Sequence, residues 1–113
     1  PQVVKDYSDS EYCGFTFTDD AYLALFDLMK RAYDVKHWKC TKPEMPVLFI
    51  SGAEDPCMGN VRQFAKAVRA MRQAGYRDVR GKLYPGMRHE ILNEKDREKV
   101  YHDILIYIHK KCL

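Results

Sequence analysis

At 113 residues the chain forms one domain at most, and its 46% hydrophobic and 12% aromatic content is globular in kind, which excludes a disordered polypeptide. Nineteen Lys and Arg against 16 Asp and Glu leave a formal charge of +3 with both signs interspersed, too mild and too mixed for a nucleic-acid partner. The longest apolar run, Ile104 to Ile108, is far below the ~18 residues that a bilayer span needs.

With no charged-then-apolar leader ahead of that run, the chain reads as soluble, without a transmembrane segment, and cytoplasmic. Cys13, Cys40, Cys57 and Cys112 are widely spaced in a chain with enough apolar material to fold unstapled, so reduced thiols are expected.

Residues 1–17 read as polar and irregular, ending in the aromatics Tyr12, Phe15 and Phe17. Thr18 has the character of an N-cap, with Asp19 and Asp20 suited to the positive end of a helix dipole and Phe17 and Tyr22 spaced for a hydrophobic staple. The helix expected over about 19–34 carries Tyr22, Leu25, Phe26, Met29 and Ala32 on one stripe. Leu23 and Leu28 broaden that stripe, as a helix with more than one packing partner requires. A linker containing Trp38 leads to Pro43 and Pro46.

Val47-Leu48-Phe49-Ile50 is a continuous apolar run of the type found in parallel strands buried on both faces. After a loop through Asp55 to Gly59, Asn60 caps a helix that buries Val61, Phe64, Ala65, Val68 and Met71 and stops at Gly75. A second strand over about 78–84 alternates Val79, Gly81 and Leu83 with Arg80, Lys82 and Tyr84, a half-polar pattern that fits a position near a sheet edge. A last helix is expected from an Asn93 cap, burying Val100, Tyr101, Ile104, Leu105 and Ile108.

Two loops then stand out. Ser51-Gly52-Ala53-Glu54-Asp55-Pro56 closes the first strand, and Tyr84-Pro85-Gly86-Met87-Arg88-His89-Glu90 closes the second. In two parallel neighbouring strands both loops emerge on the carboxyl rim, where open α/β sheets build their ligand crevices. Asp55 and His89, 34 positions apart, are thereby expected to meet as the acid and histidine of a nucleophile-His-acid triad, with Glu54 the substitute acid. Neither Ser8, Ser10 nor Ser51 fits a G-x-S-x-G elbow, so the nucleophile is missing. Together with a start at Pro1 rather than Met, this reads as a piece of a longer polypeptide.

Pro46 to Asp55, Gly75 to Val79 and Leu83 to Glu94 resemble the C-terminal end of an α/β-hydrolase, closest to the monoacylglycerol lipase and lysophospholipase-like serine hydrolases. Cys13 to Thr18 resembles the segment that follows the cap in that family. The resemblance implies Asp55 as triad acid and His89 as general base. It also implies an α/β fold with two parallel core strands, flanking helices and an incomplete sheet. Residues 1–45 become a cap-proximal segment and residues 46–113 a strand-helix-strand-helix unit. The implied substrate is an ester or lipid-like small molecule, cleaved without metal or organic cofactor, and the chain alone is expected to be inactive. A non-catalytic module that self-associates, or pairs with the missing N-terminal half through its exposed sheet edge, is the alternative.

Other features carry blander readings. Cys57 near His89 is a candidate thiol nucleophile, but no strained elbow presents it, and an inert thiol is the simpler reading. His102, His109 and Cys112 are too scattered for a zinc site. Arg62, Lys66, Arg69 and Arg72 recur at helical spacing and read as a solvated face, while Phe15, Phe17, Tyr22 and Phe26 suit either an acyl pocket or core packing.

Overall fold

A computed structural model describes residues 2–112, the side chains of Val3 and Cys112 excepted. It divides into two compact units, Pro1–Asp34 and Val35–Leu113.

The first unit holds helices α1 (Gln2–Asp9) and α2 (Asp19–Ala32). Helix α1 corrects the expectation of an irregular start. Its support lies in side chains one turn apart rather than in an apolar stripe: Gln2 donates to Asp6 at 2.6 Å, Lys5 pairs with Asp9 at 3.2 Å and the Ser8 hydroxyl donates to the Val4 carbonyl at 3.0 Å. Helix α2 begins as its sequence requires. The Thr18 hydroxyl accepts from the Ala21 N–H at 3.3 Å, and the Phe17 and Tyr22 rings lie 5.5 Å apart, edge to face, as a staple across the cap. The Phe15 ring lies tilted against Phe17 and Tyr22 stacks on Phe26, yet no residue of α2 is buried, which departs from the expected packing of its apolar stripe on several partners.

The second unit is built on strands β1 (Val47–Gly52) and β2 (Val79–Tyr84), paired in parallel from Val47 opposite Val79 to Gly52 opposite Tyr84. Helix α3 (Val61–Gln73) makes the crossover, and helix α4 (Arg97–Cys112) follows β2. Asn60 caps α3 by accepting from the Gln63 N–H at 3.0 Å, and Gly75 ends it at a φ of 112°, a backbone only glycine adopts without strain. Because each strand has one neighbour among the described residues, Val47 to Ile50 are half-buried rather than buried on both faces as the sequence predicts.

The two faces of β2 take different helices. On the face of Val79 and Gly81, α3 lies so close that a Cβ at Gly81 would stand 2.8 Å from the Phe64 ring and 3.1 Å from Val68. Arg72 reaches over to donate to the Val79 carbonyl at 2.7 Å, which takes it out of the solvated face read from the sequence. On the other face, Tyr84 at 1% exposed and Val100 at 0% form the core with Met87 and Ile91, against which Ile50 and Ile104 pack. Two charged bridges hold α4 to this face, Lys82 to Asp103 and Lys111 to Asp78, both at 2.6 Å.

Burial, and then the Asp103 carboxylate, push the Tyr84 phenol up to about 12. The Arg80/Lys82/Tyr84 face therefore includes the most buried large side chain of the sheet. Helix α4 starts three residues later than expected, at Arg97, because Asn93 is spent on a turn: its N–H donates to the Glu90 carbonyl at 2.8 Å and its side chain to the Glu90 carboxylate at 2.9 Å. Only Val100 among the five expected core residues of α4 is fully buried. Tyr101, Leu105 and Ile108 remain exposed, since a two-stranded sheet covers only a narrow strip of helix.

Two stability results follow. Val100→Ala removes two methyl groups from a sealed site and is expected to cost about 2 kcal/mol in urea unfolding, whereas Leu105→Ala, on the exposed side, should stay within about 0.5 kcal/mol. Asp78 and Asp103 are each held below the ordinary carboxylate value of 3.8, chiefly by hydrogen bonds from Lys111 and Lys82 respectively. At neutral pH both folded and unfolded chains carry these charges, so the stabilisation is present in full. As pH falls below 3.8 the unfolded chain takes up protons first, and the stabilisation fades until the folded groups protonate too. The thermal midpoint should therefore drop as pH falls below about 4, less steeply in Asp78→Asn/Asp103→Asn than in the parent chain.

Candidate active site

The site lies at the carboxyl ends of β1 and β2. Beyond the last paired residues, the Ala53 N–H donates to the Tyr84 carbonyl and the Glu54 N–H to the Met87 carbonyl, both at 2.9 Å, so the two loops stay joined after the sheet ends. Gly52 makes this close approach possible, because a Cβ there would collide with the Met87 and Arg88 carbonyls. The second loop reverses at Tyr84-Pro85-Gly86-Met87, where the Met87 N–H returns to the Tyr84 carbonyl at 3.3 Å. Pro85 supplies the fixed φ of the second position and Gly86, at φ 74°, the positive φ of the third.

From this frame Met87 points into the core. Arg88 is pinned by its N–H, which donates to the Glu94 carboxylate at 2.6 Å, and His89 follows with a side chain 64% exposed. Farther along, the Tyr101 hydroxyl donates to the Leu92 carbonyl at 2.6 Å and ties the same stretch to α4. The imidazole is thus an exposed ring on an anchored backbone.

Asp55 is its opposite in exposure. At 8% exposed it is the one buried charged group among the described residues, and it caps a single 3-10 turn, Pro56–Met58. One oxygen accepts from the Cys57 N–H at 2.8 Å, the other from the Ser51 hydroxyl at 3.3 Å. His89 Nδ1 stands 3.2 Å from Oδ1 and 3.1 Å from Oδ2. An ionised carboxylate only accepts, so the hydrogen of the neutral ring resides on Nδ1, and the Nε2 lone pair is left for a proton from elsewhere. The contact is longer than the 2.7–2.9 Å of a single charge-assisted bond because one N–H is shared between two oxygens. Burial works against the Asp55 charge, but the hydrogen bonds from His89, Cys57 and Ser51, with the attraction of the imidazole in its cationic form, outweigh it and hold the carboxyl below its ordinary 3.8.

The structure therefore brings Asp55 and His89 together and leaves Glu54 exposed, its backbone spent on the Met87 carbonyl. Ser51 is turned toward the carboxylate, a role its strand-end position did not announce; only its placement four residues before Asp55 hints at it. Ser8 lies in α1 and Ser10 just beyond it, so neither occupies a strand-to-helix elbow.

Cys13, Cys40 and Cys57 are free thiols, while the expectation for Cys112 falls outside the described side chains. One group of three potential metal ligands occurs among the described residues: Asp55, Cys57 and His89, with donor atoms all within 4.8 Å of one another. Neither His102 nor His109 belongs to such a group. No helix among the described residues is long and apolar enough to cross a membrane.

Comparison with known families adds one match: the family described as serine aminopeptidase, S33, is matched by residues 1–96, a stretch that includes both loops. No curated protein and no solved structure matches the chain.

Proposed function

The chain belongs to the serine aminopeptidase S33 family of α/β-hydrolases, and from that premise we propose that it is the C-terminal part of a serine hydrolase, with His89 as general base and Asp55 as triad acid. The observation that carries this reading is the shared hydrogen bond from His89 Nδ1 to both oxygens of a buried, ionised Asp55. The nucleophilic serine is supplied from outside these 113 residues. As its Oγ attacks the substrate carbonyl, Nε2 takes the serine proton, and the imidazolium then delivers that proton to the leaving group. Asp55 remains ionised throughout, fixing the ring and stabilising its cationic form. No step calls for a metal or organic cofactor.

The substrate we propose is a carboxylic ester of acylglycerol or lysophospholipid type, cleaved in the cytoplasm. The test is a polypeptide extended on its N-terminal side, assayed with p-nitrophenyl acyl esters and with aminoacyl p-nitroanilides. Ester turnover is expected, and none from the 113-residue chain alone. Turnover of the anilide only would contradict the ester assignment and favour an aminopeptidase.

A second reading rests on the sheet. Each strand has a single neighbour among the described residues, so both outer edges carry unpaired backbone groups that invite another strand. As an interaction module the chain would dimerise through such an edge or pair with its missing N-terminal half. Light scattering is expected to show self-association at micromolar concentration, and a well-behaved monomer would contradict it.

A further inference from the structure

We propose that Asp55, Cys57 and His89 form a binding site for a thiophilic divalent cation of the zinc class, and that an ion there takes His89 out of proton transfer. The second half rests on the triad reading; the first does not.

The donors are one carboxylate oxygen, one thiol sulfur and one imidazole nitrogen, all within 4.8 Å of one another. Zinc holds such ligands at about 2.0–2.3 Å, so on a shared tetrahedral ion they would be separated by roughly 3.3–3.8 Å. Closing that difference takes a movement of about 1 Å, which rotation of the exposed Cys57 and His89 side chains provides. The anchor is already fixed, because Asp55 is buried, held by Ser51, and bonded to the Cys57 N–H at 2.8 Å. Cys57 cannot leave the neighbourhood of the carboxylate without breaking the cap of the 3-10 turn. Three protein ligands leave a fourth position open to solvent, and the mixed sulfur, nitrogen and oxygen set suits zinc over magnesium or calcium.

Binding displaces the thiol proton to solvent, and thiolate plus carboxylate neutralise the 2+ charge. Either ring nitrogen gives the same outcome for His89. If Nε2 binds, its lone pair is consumed. If Nδ1 binds, its hydrogen moves to Nε2, which then has no lone pair to offer. The cation would thus act as a reversible inhibitor of proton transfer.

Cobalt(II) is the probe, titrated into the full 113-residue chain, with the thiolate-to-metal charge-transfer band as readout and zinc competition giving the affinity. A band saturating at one equivalent is expected. It should be displaced by zinc but not by a large excess of magnesium, and it should persist in Cys13→Ala, Cys40→Ala and Cys112→Ala. In Cys57→Ala the band should vanish, and in His89→Ala zinc affinity should fall at least about 100-fold. Circular dichroism confirms that each variant is folded. No band, or a band that survives Cys57→Ala in a folded chain, would overturn the site. Because the readout needs no catalysis, that failure leaves the triad reading to the ester assay.

Discussion

Replacing His89 by Ala is expected to lower kcat for ester hydrolysis by about 10⁵-fold in the polypeptide that also carries the nucleophilic serine. The size of the effect follows from what the ring does. Serine is a poor nucleophile until a base removes its proton, and Nε2 of His89 has a lone pair for that proton because its partner Nδ1 is engaged with Asp55. Asp55→Asn should cost about 10⁴-fold, because an amide N–H facing Nδ1 would favour the wrong tautomer. KM should change little in either case, since both groups act on the proton rather than on substrate binding. A variant at position 89 that keeps more than a tenth of the parent kcat would remove the histidine from the mechanism.

The largest expected effect on architecture comes from Gly52→Ala. A Cβ at this position points at the Met87 and Arg88 carbonyls, which belong to backbone and cannot rotate aside. The histidine loop must therefore shift, and it carries both Met87, a core residue, and His89. We expect a loss of about 3 kcal/mol in stability from overpacking at a buried strand end. Any surviving folded protein should also lose at least about 100-fold in kcat from displacement of the imidazole by an ångström or so. Gly86→Ala is the instructive contrast. Nothing lies within 4 Å of its added Cβ, so only the φ of 74° is penalised, and the cost should be nearer 1 kcal/mol. Paired urea melts and ester assays separate the two; equal, small effects would mean that the loops are not locked together at Gly52.

Much of this framework was legible in the sequence, for identifiable reasons. Thr18 and Asn60 announce their helices because a short polar side chain before an amphipathic stretch has one favourable use. The two strands and the meeting of residues 55 and 89 follow from an apolar run, a Gly-bounded loop and the rule that parallel neighbours share a rim. What stayed hidden depends on partners that no local pattern encodes. Helix α1 rests on polar pairs one turn apart, which register as irregular when apolar spacing is the criterion. Tyr84 alternates with Arg80 and Lys82, so the strand reads as half-polar and near a sheet edge. Tyr84 is buried only because α4 crosses there and Asp103 takes up Lys82. Asn93 has the chemistry of a cap, but Glu90 three residues earlier claims it for a turn. Ser51 looks like strand punctuation until the loop folds back and brings the Asp55 carboxylate to its hydroxyl.

The most direct measurement is the tautomer of the His89 ring in the 113-residue chain, read by ¹⁵N-edited NMR at a pH where the ring is neutral. The hydrogen should reside on Nδ1, strongly deshielded by the carboxylate, and should move to Nε2 in Asp55→Ala. A ring that carries its hydrogen on Nε2 in the parent chain, unchanged by Asp55→Ala, would contradict the pairing on which the whole account rests.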